Sequence, residues 1–216
     1  MSSTVSHAAR TFEVRHLQLA RALFAALAAI MITFSPDHSA EVGLAVFSGW
    51  AIATGFVELL AAWLVYRPGA RALPLLLGVL TVVAGMVGGL PGIRTVALFF
   101  VLVIVWAFAT GIAELVGGIR GRGVTEDAHD QILLGAFALA LGVGLLLVNP
   151  AYSLEYFIKE AGESYTLTGI TIGVGLFGAY AAFVAVFLGI AGFSPRRAII
   201  ADTEEPAAAD SAGEPA

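Results

Sequence analysis

Six long runs dominated by apolar residues constrain the fold of this 216-residue chain more than any other feature. Their lengths, from 17 to 27 residues, fit the ~20 residues that a helix needs to cross a bilayer core. Lipid offers no hydrogen-bonding partners, so each run must satisfy its own backbone groups, as a helix does. The sequence therefore predicts an all-α membrane protein with six transmembrane helices. The runs cover Leu17–Phe34, Val42–Val65, Ala72–Leu90, Thr95–Ile119, Ile132–Val148 and Leu167–Phe193.

Composition excludes a soluble globular domain. Hydrophobic residues make up 59% of the chain and charged residues 12%, whereas soluble domains carry about 25% charged residues. The chain has no cysteine, which excludes disulfides, thiolate metal sites and a cysteine nucleophile.

The basic residues predict the orientation in the membrane. Nine of the eleven, Arg21 among them, fall on the side that holds both termini of a six-span chain, and Arg94 and Lys159 fall on the other. The positive-inside rule then places both termini in the cytoplasm. We expect residues 1–16 to form a cytoplasmic segment. Residues 194–216 form an acidic tail rich in Ala and Pro that is too poor in apolar residues to fold, so we expect disorder.

A ten-residue segment is repeated. Residues 50–59 recur at 106–115 with seven identical positions, including Trp, Thr, Gly and Glu. Gly78 and Gly85 likewise correspond to Gly135 and Gly142. The repeat predicts three helical hairpins, at 17–67, 72–122 and 131–193, which enter the membrane from the same side and are therefore parallel repeats.

The third hairpin differs from the other two. It has no glutamate in its second helix, and its outer loop, 149–166, is longer and rich in aromatic residues. We expect these aromatic side chains to anchor the loop at the lipid headgroups, and a short interfacial helix is one form that the loop could take.

The hairpin triplet, the Gly/Ala spacing and the Trp…Gly-x-x-Glu-Leu helix ends resemble the HdeD-like family of small bacterial inner-membrane proteins over about residues 17–193. The resemblance implies a six-helix fold, the bacterial inner membrane as location, and a link to acid resistance. It implies no assigned biochemical activity.

Glu58 and Glu114 are predicted to be the charged residues that lie well inside the spans. Carboxylates at such depth are costly and point to function by default. Each shares a helical face with a small residue, Gly55 or Gly111, and has Thr54 or Thr110 one turn away. Two interpretations stay open. Each glutamate is a structural carboxylate, protonated or paired with an arginine such as Arg21, Arg67 or Arg120, or it belongs to a protonation switch or relay.

Trp50 and Trp106 begin the two repeated segments, several turns from the inner end of their helices. They either fill the bundle or contact lipid. Glycines at matching positions are expected to allow close helix packing. These are Gly55, Gly111, Gly78, Gly85, Gly135 and Gly142.

No motif in the chain predicts an enzyme, a cofactor, a metal site or nucleic-acid binding. Residues 173–178 match the glycine pattern of a dinucleotide-binding loop, but they lie within an apolar span with no preceding strand. Expected partners are the bilayer and either a second copy or another membrane protein. The sequence favours a non-enzymatic structural or stress-response role, with a small proton or solute channel using Glu58 and Glu114 as the alternative.

Overall fold

A computed structural model describes residues 12–123, 125, 127–158 and 162–194 of the chain. This part consists of six α-helices, two short 3-10 turns and a β-hairpin. The helices are α1 (Val14–Phe34), α2 (Ala40–Leu64), α3 (Ala72–Gly89), α4 (Val96–Arg120), α5 (Ala128–Leu147) and α6 (Gly169–Phe193).

All six helices are long and apolar enough to cross a membrane, with 18 to 25 residues each. At 1.5 Å per residue they measure roughly 27–38 Å, which covers the hydrocarbon core. The prediction of six helices long and apolar enough to span a membrane is confirmed, whereas the all-α prediction is wrong for the loop between α5 and α6, which holds two strands. Residues 1–11 and 195–216 lie outside the described residues, and with them most of the predicted N-terminal segment and acidic tail.

The two ends of the bundle differ in how the helices begin. Ser39, Thr95 and Thr168 cap α2, α4 and α6, because each hydroxyl accepts a hydrogen bond from a backbone N–H in the first turn. These three helices begin at the end that carries the β-hairpin, which we call the hairpin end. Helices α1, α3 and α5 begin at the opposite end, which we call the terminal end.

The closest helix pairs are α2 with α3, α4 with α5, and α1 with α6. Each pair joins helices from two different predicted hairpins. Glycines stand at the crossings: a Cβ on Gly55 would lie 2.9 Å from the Gly78 carbonyl oxygen, and one on Gly135 would lie 2.7 Å from that of Gly111. The small residues thus permit backbone-to-backbone approach. The division into three hairpin repeats stays a prediction.

The loop between α5 and α6 forms an antiparallel β-hairpin of β1 (Ser153–Ile158) and β2 (Glu163–Thr168). The alternative of a short interfacial helix is therefore wrong. Aromatic and β-branched side chains favour strands, and Tyr156 pairs with Tyr165 across the strands, their rings stacked at 6.1 Å. The aromatic side chains are exposed, as headgroup anchors would be.

Candidate intramembrane polar site

Three charged side chains meet inside the helix bundle. Arg21 Nη2 lies 3.1 Å from Glu58 Oε1 and 3.0 Å from Glu114 Oε1, and it donates a hydrogen bond to Glu114. The side chain of Arg21 is 16% exposed, and that of each glutamate 5%. One guanidinium is therefore shared by two buried carboxylates. We call these three residues the charged cluster.

Helix register brings the charged cluster to one depth. Arg21 lies seven residues after the start of α1, and each glutamate lies six residues before the end of α2 or α4. At 1.5 Å per residue, all three lie about 9–11 Å from the terminal end. Ala25 and Ala28 continue the Arg21 face of α1 and are fully or nearly fully buried. This run of small residues keeps α1 close to its neighbours.

Arg21 is the residue of the charged cluster whose place the sequence interpretation missed, because it counts there as an arginine of the terminal-side loops. Glu58 and Glu114 lie inside the bundle as predicted, but they are not the only charged residues there, since Arg21 is buried with them. The topology count falls to eight arginines against two basic residues, which keeps its direction. Of the three arginines considered as partners, Arg21 pairs with the glutamates, and within the described part of the chain Arg67 and Arg120 do not.

A crevice of about 30 Å³, lined by both apolar and hydrogen-bonding side chains, extends from the charged cluster towards the terminal end. Asp127, at the start of α5, stands in its wall and is 5% exposed. The Tyr66 hydroxyl donates to Asp127 Oδ2 at 2.6 Å, and Gln131 Nε2 donates to the same oxygen at 2.8 Å. Gln18 Nε2 of α1 donates to Asp130. The crevice is therefore lined by hydrogen-bonding groups from α1, α5 and the segment after α2.

Tyr66 keeps its proton in this wall. Its burial, together with the neighbouring Asp127 carboxylate, raises the pKa of the Tyr66 hydroxyl above its ordinary value. A half-buried phenol beside a carboxylate favours the neutral form. Tyr66 is consequently a permanent hydrogen-bond donor to Asp127 at neutral pH.

A second, smaller cavity of about 10 Å³ adjoins the charged cluster on its other side. Thr54, Thr81 and Thr110 line it, together with Trp50 and Tyr180. Polar lining thus extends beyond the charged cluster towards the middle of the bundle and ends there.

An aromatic plug closes the bundle beyond this cavity. We define it as Phe47, Trp50, Trp106, Phe177 and Tyr180, whose ring centroids lie 5.1 to 6.4 Å apart where they touch. Most of these contacts are edge-to-face, an arrangement that aromatic pairs prefer. All five side chains are at most 8% exposed. Both tryptophans therefore fill the bundle and do not contact lipid.

The two copies of the repeated Trp–Thr–Glu segment have different hydrogen-bonding states. In α4, Trp106 Nε1 donates to Thr81 Oγ1 at 3.2 Å, and Thr110 Oγ1 donates to the Trp106 carbonyl oxygen at 2.8 Å. In α2, Trp50 Nε1, Thr54 Oγ1 and Glu58 Oε2 are all buried without a partner among the described residues.

The predicted packing glycines all lie at helix interfaces. Gly55 faces Gly78, and Gly111 faces Gly135. Gly85 abuts Ile52 of α2, and a Cβ on Gly142 would lie 3.0 Å from the Phe108 ring of α4.

The charged cluster offers acid–base chemistry, since it holds two carboxylates that can take up or release a proton. Across residues 12–123, 125, 127–158 and 162–194, no group of three or more His, Cys, Asp or Glu side chains stands close enough to hold a metal ion.

Comparison with known proteins returned no match to a protein-family model, a curated protein or a solved structure. The resemblance to the HdeD-like family rests on its short motifs and stays a prediction. Function is therefore inferred from the charged cluster, the crevice and the plug.

Proposed function

We propose that this membrane protein is a non-enzymatic acid-responsive protein that binds a proton reversibly at the charged cluster. The observation that carries the proposal is the sharing of Arg21 between two buried carboxylates. With all three groups ionised, the charged cluster has one surplus negative charge, and uptake of one proton makes it neutral. Surplus charge inside a membrane protein is costly and is usually tied to function.

The crevice supports proton access from the terminal end. Its volume of about 30 Å³ exceeds the ~10–15 Å³ that one water molecule needs, and its walls offer the polar partners that water requires. In the plug, Trp50, Trp106 and Tyr180 line the second cavity, whereas the rings of Phe47 and Phe177 offer no polar partner towards the hairpin end. A proton would therefore arrive from and return to one side only, which the positive-inside count makes the cytoplasm.

A change in the protonation state of the charged cluster would change how the helices pack. Arg21 ties α1 to both α2 and α4, and α1 in turn packs closely against α6. Neutralising one carboxylate weakens one of these two ties. The titratable groups that face this region from the helices are Glu58 of α2, Glu114 of α4 and Tyr180 of α6. Farther out, Tyr66 and Asp127 face it from the terminal-side loops. The role agrees with the bacterial inner-membrane location and acid-resistance link that the HdeD-like resemblance implies.

A small proton channel is the second candidate function. It is favoured by the crevice, because this crevice extends from the terminal end and both glutamates line it. It also requires the aromatic plug to open, since the rings of Phe47, Trp50 and Trp106 are in mutual contact.

Proton uptake by the purified protein tests the proposal. The full chain in lipid nanodiscs is acidified stepwise in weakly buffered solution, and bound protons are counted against empty nanodiscs. We expect the variant Glu58→Gln/Glu114→Gln to take up about one proton fewer than the wild type. Glu41→Gln, an exposed carboxylate in the first turn of α2, is the matched control for an ordinary surface group.

If the wild type and the double variant bind the same number of protons over the whole acid range, the proposal is overturned. Liposomes loaded with a pH-sensitive dye separate the two candidates. We expect no proton flux above that of empty liposomes, whereas a flux abolished by the double variant would establish the channel. In cells, the double variant at normal folded yield should lower acid survival.

A further inference from the structure

We infer that Trp50, Thr54 and Glu58 form a binding site for a single water molecule on the inner side of the charged cluster. Their three unpartnered atoms follow one another at four-residue spacing on α2, which places them on one face of the helix. The residues are 6%, 3% and 3% exposed. All three line the cavity of about 10 Å³.

The chemistry of these atoms selects the ligand. The Trp50 indole N–H can only donate, so the ligand must carry a lone pair. Glu58 Oε2 as a carboxylate can only accept, so the ligand must also carry hydrogen, and the Thr54 hydroxyl accommodates either role. A bare metal cation cannot accept from the indole, and an anion would meet the carboxylate.

The size of the cavity limits the ligand to one heavy atom. A volume of about 10 Å³ stands at the lower bound for one water molecule, and a buried water typically has about three polar partners. The site offers three, and Arg21 Nε, also buried and unpartnered, is a fourth group of the same region. Water meets both the chemical and the steric requirement.

The α4 copy of the segment provides the internal contrast. There Trp106 finds a protein partner in Thr81, three residues after Gly78 of α3. Ala22 of α1 lies 56 positions before Gly78, the offset that also separates Trp50 from Trp106, and the residue three positions after Ala22 is Ala25, which has no hydroxyl. The α2 copy therefore requires a solvent molecule where the α4 copy uses a side chain.

One consequence rests on the proposed function. A water molecule can hydrogen-bond Glu58 Oε2 whether or not this oxygen carries a proton, whereas Glu114 Oε1 accepts the hydrogen bond from Arg21. Glu58 is then the residue that exchanges the proton, and Glu114 is a positioning residue that holds Arg21.

Nuclear magnetic resonance of the indole groups tests the water site. The chain has three tryptophans, so ¹⁵N labelling gives three indole signals, from Trp50, Trp63 and Trp106. In nanodiscs we expect a cross-peak between the Trp50 indole proton and a long-lived water, and none for Trp106. Thr54→Val should shift the Trp50 signal and weaken this cross-peak, whereas Ser48→Ala, which removes a buried hydroxyl of the same helix outside the cavity, should leave the cross-peak in place.

Absence of the Trp50 water cross-peak, or its equal weakening in Thr54→Val and Ser48→Ala, would overturn the water site. Infrared difference spectroscopy of the acidified protein then tests the assignment of Glu58, because either single glutamine variant would remove the surplus charge that drives proton uptake. We expect the carboxylic acid band that appears on acidification to shift in Thr54→Val and to keep its frequency in Ser48→Ala. A band that ignores Thr54→Val would overturn the assignment, and a wild type without the band would overturn the proposed function, while the water site stands on the indole signals.

Discussion

The two halves of the bundle are held together by different forces. The terminal half contains the charged cluster and the crevice, and its side chains meet through ion pairs and hydrogen bonds. The hairpin half contains the plug and, beyond it, the fully buried side chains of Leu44, Phe99 and Val174. In lipid, apolar helices gain little from the hydrophobic effect, so the hairpin half depends on van der Waals packing.

The buried polar side chains are distributed unequally between the same two halves of the bundle. Of the eight in the described residues, Ser48 alone lies on the hairpin side of Trp50. Its hydroxyl donates to the Gly85 carbonyl oxygen at 2.6 Å, which satisfies it locally. We infer that the terminal half admits water and protons and that the hairpin half is a barrier to them. Each half can be tested separately.

The largest effect is expected from Arg21→Met, which leaves two buried carboxylates without their cation. Breaking a buried ion pair from one side costs about 3–5 kcal/mol. We expect a loss of this size in the free energy of unfolding in mixed micelles. Arg15→Met should cost less than about 1 kcal/mol, because its ion pair with Glu13 is more than half exposed.

The triple variant Arg21→Met/Glu58→Gln/Glu114→Gln should recover most of this loss, since no unpaired charge remains. Equal stability of Arg21→Met and Arg15→Met would show that the charged cluster does not hold the terminal half together.

The plug is tested by Phe47→Ala, which removes a fully buried ring in contact with Trp50, Trp106 and Phe177. Such truncations cost about 3 kcal/mol or more through the cavity that they leave. Phe56→Ala on the same helix removes a ring that is 53% exposed to lipid and should cost much less. We also expect a proton leak in liposomes from Phe47→Ala alone; two equally tight variants would refute the barrier role.

The crossing of α2 and α3 is tested by Gly55→Ala. Its new methyl group would meet the Gly78 carbonyl oxygen and the Val82 backbone nitrogen at 2.9 Å, and overpacking of this kind costs about 1–3 kcal/mol. Gly49→Ala has nothing within 4 Å of its Cβ and should be neutral or stabilising. Thermal unfolding of the two variants decides whether close approach of the backbones matters.

The six spans were predictable because they follow from run length and lipid chemistry alone, without knowledge of partners. The pairing of helices was not, since the repeat between 50–59 and 106–115 indicates equivalence and not contact. Helix α2 packs most closely on α3 and not on its predicted hairpin partner α1.

The place of Arg21 was hard to predict for a different reason. A topology count assigns every arginine near a helix end to the loops, and the carboxylates that bury Arg21 come from residues 37 and 93 positions away. One local signal existed: Gln18 and Arg21 lie three residues apart, on one face of an otherwise apolar run. No local sequence pattern indicated the crevice wall, because Tyr66 and Asp127 meet only in the folded chain.

The β-hairpin was predictable in part. In residues 163–168, Tyr165 and Leu167 alternate with Ser164, Thr166 and Thr168, a pattern typical of strands. Gly162, with a positive φ of 67°, supplies the left-handed conformation that turns favour. Aromatic content alone led to an interfacial helix, whereas the alternation indicates strands.

The smallest effect is expected from Tyr66→Phe, which removes the hydrogen bond to Asp127 at the mouth of the crevice. A hydrogen bond to a charged acceptor contributes about 1.5–3 kcal/mol, and water entering at this partly open site should reduce the loss to about 1 kcal/mol. Tyr152→Phe, on an exposed tyrosine beside the β-hairpin, is the matched control and should change nothing.

The pH dependence of this difference identifies Tyr66 as its source. Because burial raises the pKa of Tyr66 in the folded protein, its contribution is complete below the unfolded value of about 10. Above that pH, the unfolded chain loses the phenolic proton while the folded protein keeps it, so the wild type is destabilised as pH rises. The phenylalanine variant lacks this group, and the gap between the two unfolding free energies should narrow from pH 9 to pH 11. If the difference in unfolding free energy stays constant across this range, Tyr66 has the same pKa in the folded and the unfolded protein. The Tyr66 hydroxyl would then be as accessible to water as a group on the surface.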